Sequence, residues 1–209
     1  MAISLNGGTG VITGVSVGGL PDGIVDTDML AAGAVTAPKR GAGGILQVQQ
    51  TVLKSRASVT GTSSYALIPN FSVAITPAST SNKVLVHVML AFISNGQYAG
   101  SNLRLARTIS GTTTNDFFIG TQVGSNRWTG TVQAGAPMHY SDGNYGPGIT
   151  HIHYLDSPST TSEVSYGLQL ADANGSADTI YINAAGAYNS DNGAYGITVS
   201  SITATEIAG

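Results

Sequence analysis

Residues 83–93 read KVLVHVMLAFI, a run that is nearly continuous in apolar side chains. A strand that is buried on both faces has this composition, because neither of its faces meets water. Three other segments instead alternate apolar and polar residues, which is the period-two pattern of half-buried strands. These segments are FSVAIT at 71–76, NLRLARTI at 102–109 and EVSYGLQL at 163–170. We therefore expect residues 83–93 to form the central strand of a β-sheet.

The rest of the chain after residue 44 continues this β pattern. Turn clusters such as SNGQYAGSN, SDGNYGPG and DANGSAD separate further candidate strands, and no helical repeat occurs. About ten strands of this kind predict an all-β fold, a jelly-roll-like β-sandwich. In the last candidate the side-chain phase slips near Ser200 and Ser201, which predicts a β-bulge there. The further candidates are 45–53, 116–123, 127–133, 148–155, 178–184 and 196–207.

The first 44 residues have a different composition, rich in glycine and without any aromatic residue. Such a segment buries too little apolar surface to offset the conformational entropy that it loses on ordering. We expect residues 1–44 to be an extended attachment arm that orders against another protein, and residues 45–209 to be one knob domain. Within the arm, Asp26 or Thr27 can cap one short helix through Met29 and Leu30.

Charge and composition exclude several classes of partner. Charged residues make up 9% of the chain and the net charge is -3, which suits a protein packed in many copies. Lys39 and Arg40 form the only adjacent basic pair, so we expect no nucleic-acid partner. No apolar run is long enough to span a bilayer, so no membrane insertion is expected, and no secretory signal is recognisable. The chain has no cysteine, which excludes disulfides and thiolate chemistry.

Two histidines form a candidate metal site. His151 and His153 lie two residues apart in THIHY, on a predicted strand, so both side chains project from one face. Imidazoles on one face can share a metal ion, and a three-fold axis would bring six of them together. A hydrogen-bonded or interface pair is the alternative. His87 lies in the apolar run, and we expect it to be a core histidine with a hydrogen-bond partner.

Three further motifs resemble chemical sites, but structural roles explain them better. GVSVG at 14–18 matches the nucleophile elbow of hydrolases, but too few residues precede it to supply the sheet that this elbow requires. DANGSAD at 172–178 resembles a calcium loop with its glycine displaced, and a hairpin turn explains it. Asp156 and Glu163 are a candidate carboxylate pair for sugar hydrolysis, yet they flank a predicted turn. We expect no catalytic residue and no cofactor.

Several segments together resemble virion surface proteins of tailed phages. They are ILQVQQTVLKS, SSYALIPNFSVAITPASTSNKVLVHV, THIHYLDSPSTTSEVSYGLQL and YINAAGAYNSDNGAYGITVSSITATEIAG. The relatives are tail-fibre-like or structural proteins from phages of cyanobacteria and marine bacteria, and the arm segment GLPDGIVDTDMLAAGAVTAPK is similar to attachment segments of phage fibres. The resemblance covers most of the chain. It implies a homotrimeric β-sandwich knob that the N-terminal region holds to the particle, and it carries over no catalytic residue.

A short arm without a shaft repeat gives no stiff spacer. We therefore expect a non-enzymatic capsid decoration or cement protein at the virion surface, with the major capsid protein or another virion component as its partner. The alternatives are a receptor-binding tail-fibre or tail-tip knob that contacts a host surface glycan, and a carbohydrate-active enzyme. The predicted attachment residues are Ile12, Leu20, Ile24, Asp26, Met29, Leu30, Lys39 and Arg40. The predicted glycan or interface contacts are Tyr98, Trp128, Tyr145, Tyr188 and Tyr195.

Overall fold

The computed structural model describes residues 4–6, 11–13, 41–60, 64–94, 101–121, 129–134, 148–172, 179–183 and 197–209. The chain divides into two units, Met1–Gly41 and Ala42–Gly209. In the first unit, strands β1 (Ser4–Asn6) and β2 (Val11–Thr13) pair antiparallel. The short helix predicted at the end of the arm lies outside the described residues, and the arm boundary at residue 44 stays a prediction.

The second unit is built from strands, and its described residues contain no helix. The all-β class predicted from the sequence is therefore confirmed. The strands are β3 (Ile45–Leu53), β4 (Ala57–Thr60), β5 (Ala66–Ile75), β6 (Lys83–Ser94), β7 (Ser101–Ile109), β8 (Thr112–Thr114), β9 (Val132–Ala134), β10 (Gly148–Asp156), β11 (Val164–Asp172), β12 (Thr179–Ile182) and β13 (Ser200–Ile207).

Strand β6 is the centre of a six-stranded antiparallel sheet. Strand β10 pairs with one edge of β6, and β13 and β12 lie end to end along its other edge. Strands β3 and β4, which follow each other closely in the chain, pair with β13 and β12 respectively. The sheet is therefore four strands wide, and two of its four positions are each filled by two strands that lie end to end.

The second sheet has five strands and is likewise four strands wide. Its order is β5, β11 and β7, with β8 and β9 paired end to end along the far edge of β7. Between these two short strands, the N–H of Thr131 donates to the carbonyl of Leu103 at 2.7 Å, and its hydroxyl accepts from the N–H of Leu105 at 3.0 Å. Thr131 thus continues the hydrogen bonding along this edge of β7.

The chain moves between the two sheets in the order of a jelly roll. It passes from β4 to β5 in the other sheet, returns to β6, crosses to β7, β8 and β9, and then alternates through β10, β11 and β12. With end-to-end strands counted together, this gives the eight positions and two Greek keys of a jelly roll. The predicted jelly-roll-like sandwich is confirmed by this strand order.

The core lies between the two sheets and consists of alternate residues from each strand. On β6 the buried positions are Val84, Val86, Val88 and Leu90, each at 0% exposure. On β11 the alternating residues predicted from EVSYGLQL are those in the core cluster, namely Val164, Tyr166, Leu168 and Leu170. Alternation on β11 therefore correctly identified the face that packs in the core.

The prediction that residues 83–93 are buried on both faces is wrong over Lys83–Leu90. Lys83 and His87 are exposed, and Leu85 and Met89 are only partly buried. The odd-numbered side of β6 faces away from the other sheet, so the apolar side chains there do not reach the core. The apolar run therefore reflects one core face and one partly exposed face of the same strand.

Two predicted strands differ from the structure, one by its absence at 116–121 and the other by its start. Residues 116–121 form no strand, and the short β8 precedes them instead. The last strand begins at Ser200, where 196 was predicted, and its register shifts between Glu206 and Ile207, not at Ser200 and Ser201. The apparent phase slip arises because Ile197, at 73% exposure, precedes the strand and does not follow its alternation.

Asn183 joins the ends of β12 and β13. Its Nδ2 donates to the carbonyl of Leu53 at 2.7 Å, and its Oδ1 accepts from the hydroxyl of Ser200 at 2.6 Å. The Ser200 hydroxyl in turn accepts from the N–H of Ala91 on β6 at 3.0 Å. Asn183 has φ of 64°, a left-handed conformation that asparagine tolerates better than most residues. Both β12 and β13 are thus tied to β6 where they meet.

Glu206 is a second buried polar residue, at 1% exposure. One carboxylate oxygen accepts from the N–H of Ala78 at 2.6 Å and from Nδ2 of Asn82 at 2.5 Å, and the other accepts from Nε2 of Gln47 at 2.6 Å. Burial acts to raise the pKa of Glu206, but these three hydrogen bonds outweigh it and hold the pKa below 4.5. Glu206 therefore binds the β5–β6 connection to β3 and β13 in its charged form.

We expect Glu206→Gln to lower the free energy of unfolding by about 1.5–3 kcal/mol at neutral pH, because hydrogen bonds to a charged group are lost. The folded pKa lies below the unfolded pKa, so this stabilisation is complete above the unfolded value and is lost as the pH falls through the folded value. Urea unfolding of both proteins at pH 7 and at a series of pH values below 4.5 measures this stabilisation. A difference between variant and wild type that does not narrow in acid would contradict the assignment.

Candidate functional site

The outer face of the six-stranded sheet, which is the side turned away from the core, carries the candidate site. The registers place four residues of neighbouring strands in each cross-strand row of this face. One row is Leu155, Leu85, Thr205 and Val48, the next is His153, His87, Thr203 and Gln50, and a third is His151, Met89, Ser201 and Val52. The histidines therefore occupy the second and third rows, and the aliphatic residues Leu155, Leu85 and Val48 lie in the row beside them.

Large aliphatic side chains are exposed on this outer face. Ile45 is 58% exposed, Val48 55% and Ile149 54%, and Val52 and Leu155 are exposed as well. Of the eight large exposed apolar residues in the described chain, these five lie on strands β3 and β10 of the six-stranded sheet. Exposed apolar surface is common where folded domains contact other molecules, so this face is the candidate contact surface.

The outer face of the five-stranded sheet is different. Nε of Arg104 donates to Oε1 of Gln169 at 2.6 Å, and Nδ2 of Asn115 donates to the same oxygen at 3.3 Å. The guanidinium of Arg104 also lies 3.8 Å from the ring centroid of Tyr65. Polar side chains on this face bind each other, so the two sides of the sandwich are chemically unlike.

The histidine cluster consists of His87 on β6 and of His151 and His153 on β10. His153 lies directly opposite His87 in the ladder, with their rings stacked at 4.1 Å between centroids. The ring of His151 is 6.1 Å from that of His87. One ring nitrogen of each histidine can be chosen so that the three atoms all lie within 4.8 Å of one another. All three residues are exposed to solvent.

The electrostatic surroundings of His87 favour its neutral form. Partial burial lowers the pKa of His87, and the nearby charges of His153 and then His151 lower it further. The only carboxylates on the described strands of this sheet are Asp156 and Glu206, which are buried at 3% and 1% exposure. No carboxylate of these strands therefore lies beside the ring of His87.

The structure places His151 and His153 on one exposed face, as their spacing suggested, and adds His87. The prediction of a core histidine at position 87 is wrong, because the odd-numbered side of β6 is its outer side. The alternation of polar Lys83 and His87 at the same parity was the signal that could have identified this face.

The other predicted contact residues are placed only in part. Ile12 lies in β2, where it pairs with Leu5. The remaining residues lie outside the described part of the chain, so their roles stay predictions. They are Leu20, Ile24, Asp26, Met29, Leu30, Lys39 and Arg40 in the arm, and Tyr98, Trp128, Tyr145, Tyr188 and Tyr195 in the knob.

The two candidate carboxylates, Asp156 and Glu163, have different surroundings. Asp156 accepts two hydrogen bonds of 2.9 Å from Nη1 of Arg107 and one of 2.7 Å from the hydroxyl of Tyr166. Arg107 and Tyr166 belong to the five-stranded sheet and Asp156 to the other, so this partly buried ion pair joins the two sheets. Burial and the carboxylate of Asp156 raise the pKa of Tyr166. Glu163 is exposed.

No family model and no curated protein matches the chain. Solved structures that match include the VP2 subviral particle of infectious bursal disease virus, with a TM-score of 0.35 and 12% identity over 78% of this chain and 41% of that chain. The T=1 particles derived from this virus match with a TM-score of 0.38 and 13% identity over 78% and 36%. This chain spans less than half the length of these virus chains, and its jelly-roll architecture is established by its own strand pairing.

We expect Asp156→Ala to destabilise the knob by about 3 kcal/mol, because it leaves the partly buried Arg107 without its counter-charge and the buried Tyr166 hydroxyl without its acceptor. Glu163→Ala is the matched control and should leave the stability unchanged. Thermal or urea unfolding followed by circular dichroism measures both. If Asp156→Ala instead kept wild-type stability, Asp156 would not have the structural role assigned to it, and a catalytic role would need to be tested.

Proposed function

We propose that this chain is a non-enzymatic structural protein of a phage virion, a homotrimeric decoration or cement protein anchored to the capsid through residues 1–44. The observation that carries the proposal is the apolar outer face of the six-stranded sheet. A decoration protein needs such a surface, because it must contact neighbouring protein over an area that is not part of its own core.

The chemistry of the outer face supports contact with protein. Burying exposed aliphatic residues such as Val48, Ile149 and Leu155 against a partner lowers the free energy, by about 25 cal/mol for each Å² of apolar area that leaves water. Neither of the carboxylates on these strands lies on this face, so a partner need not desolvate an acidic group there. The low overall charge, 9% of residues, also reduces repulsion between closely packed copies.

The jelly roll is compatible with this role, since it occurs in viral capsid and lectin domains. The fold alone does not select a function. The glycine-rich N-terminal segment supports attachment, because its backbone can approach another backbone closely. In a trimer three such arms are linked, so modest affinity for each arm combines into tight attachment.

Deletion of residues 1–44 should abolish binding to capsids and leave a folded trimeric knob, because the knob has its own core and the arm carries the attachment. Co-sedimentation with capsids that lack the protein measures binding, and light scattering measures the trimer. A truncated chain that still attaches like the wild type would overturn the anchoring role of the arm.

The number of copies in each virion separates the proposal from a tail-tip receptor-binding knob. A decoration protein should be present in hundreds of copies, and a tail-tip knob in a few. Quantitative mass spectrometry of purified virions against the major capsid protein gives this number. A count of only a few copies would favour the alternative, in which the knob contacts a host glycan.

Ile149→Asp should weaken the trimer or its binding to capsids without unfolding the knob, because the variant places a charge on the proposed contact face. Leu67→Asp is the matched control, since Leu67 is similarly exposed, at 50% against 54%, and belongs to the five-stranded sheet. Light scattering and co-sedimentation measure both variants. Equal effects of the two variants would contradict the assignment of the outer face.

A further inference from the structure

We propose that His87, His151 and His153 form a binding site for one divalent transition-metal ion of the Zn²⁺ class on the outer face of the six-stranded sheet. The site goes beyond the structural role proposed above and does not depend on it. Its basis is the convergence of three imidazoles from two hydrogen-bonded strands.

The backbone fixes the positions of the three side chains. His151 and His153 are two residues apart on β10, and the β6–β10 ladder places His87 opposite His153. Because this ladder runs continuously from Gly148 to Asp156, the three Cα atoms are held without help from loops. A site on paired strands is held more precisely than one on loops.

The distances are within reach of a tetrahedral metal ion. The three ring nitrogens lie within 4.8 Å of one another. Bonds of about 2.0–2.1 Å to a tetrahedral Zn²⁺ require nitrogens about 3.3 Å apart. The rings of His87 and His153 are stacked, so metal binding requires rotations about their side-chain bonds that aim the nitrogens at one point. The rings are exposed on this face, so these rotations need not move the strands.

The donor set selects the class of ion. Imidazole nitrogens suit Zn²⁺, Cu²⁺, Ni²⁺ and Co²⁺, whereas Ca²⁺ and Mg²⁺ prefer several oxygen ligands. The carboxylates on the described strands of this sheet are buried on its other side, so they supply no oxygen ligands to the cluster. Three histidines leave a coordination position open for water or for a donor from another molecule.

The test is a titration of the purified chain with Zn²⁺, measured by isothermal titration calorimetry. The absorption spectrum of added Co²⁺ is a second probe. We expect one ion for each chain. His87→Ala, His151→Ala and His153→Ala should each weaken binding at least about tenfold, since changes to outer-shell partners alone alter metal affinity by 10–100-fold. His139→Ala is the control, because His139 is the one histidine outside the cluster.

A measurement on the wild type removes any dependence on the folding of the variants. In long-range ¹H–¹⁵N NMR spectra, Zn²⁺ should shift the ring nitrogens of the three cluster histidines and leave those of His139 unchanged. The proposal would be overturned by wild-type affinity in His87→Ala, by the absence of stoichiometric binding, or by equal loss of affinity in His139→Ala.

Discussion

The structure depends on the hydrogen bonding of strand β6 along both of its edges. One edge is satisfied by β10 and the other by β13 and β12 in succession. Buried backbone groups must be paired, so every strand of this sheet is placed directly or through one neighbour by β6. The core residues Val84, Val86 and Val88 point from this strand toward the second sheet. The same geometry leaves His87 on the opposite side.

Buried polar residues determine where the strands end. Asn183 and Ser200 satisfy backbone groups at the junction of β12 and β13, and Glu206 satisfies donors at the other end of β13. Asp156 joins the two sheets at the end of β10 through Arg107. A polar group left without a partner at any of these places would destabilise the fold by its desolvation free energy. These contacts therefore favour one strand register over others.

The sequence predicted the class of fold well because alternation reports burial directly. In EVSYGLQL, the residues at even positions such as Tyr166 and Leu168 are those of the core. The apolar run at 83–93 gave the wrong prediction of burial on both faces, because Leu85 and Met89 are apolar but lie on a face outside the core. The start of β13 was also missed, since it depends on Asn183, which is distant in sequence from Ser200. For the same reason the spacing of His151 and His153 indicated a pair, while the contribution of His87 required the strand register.

The two outer faces of the sandwich differ in a way that affects how the free chain behaves in solution. On one sheet Arg104 and Gln169 bind each other, whereas on the other Val48 and Ile149 meet water. Sulfate and similar salts are excluded from protein surfaces and strengthen the burial of apolar area. A chain with few charges has little repulsion to oppose this. The chain should therefore salt out readily.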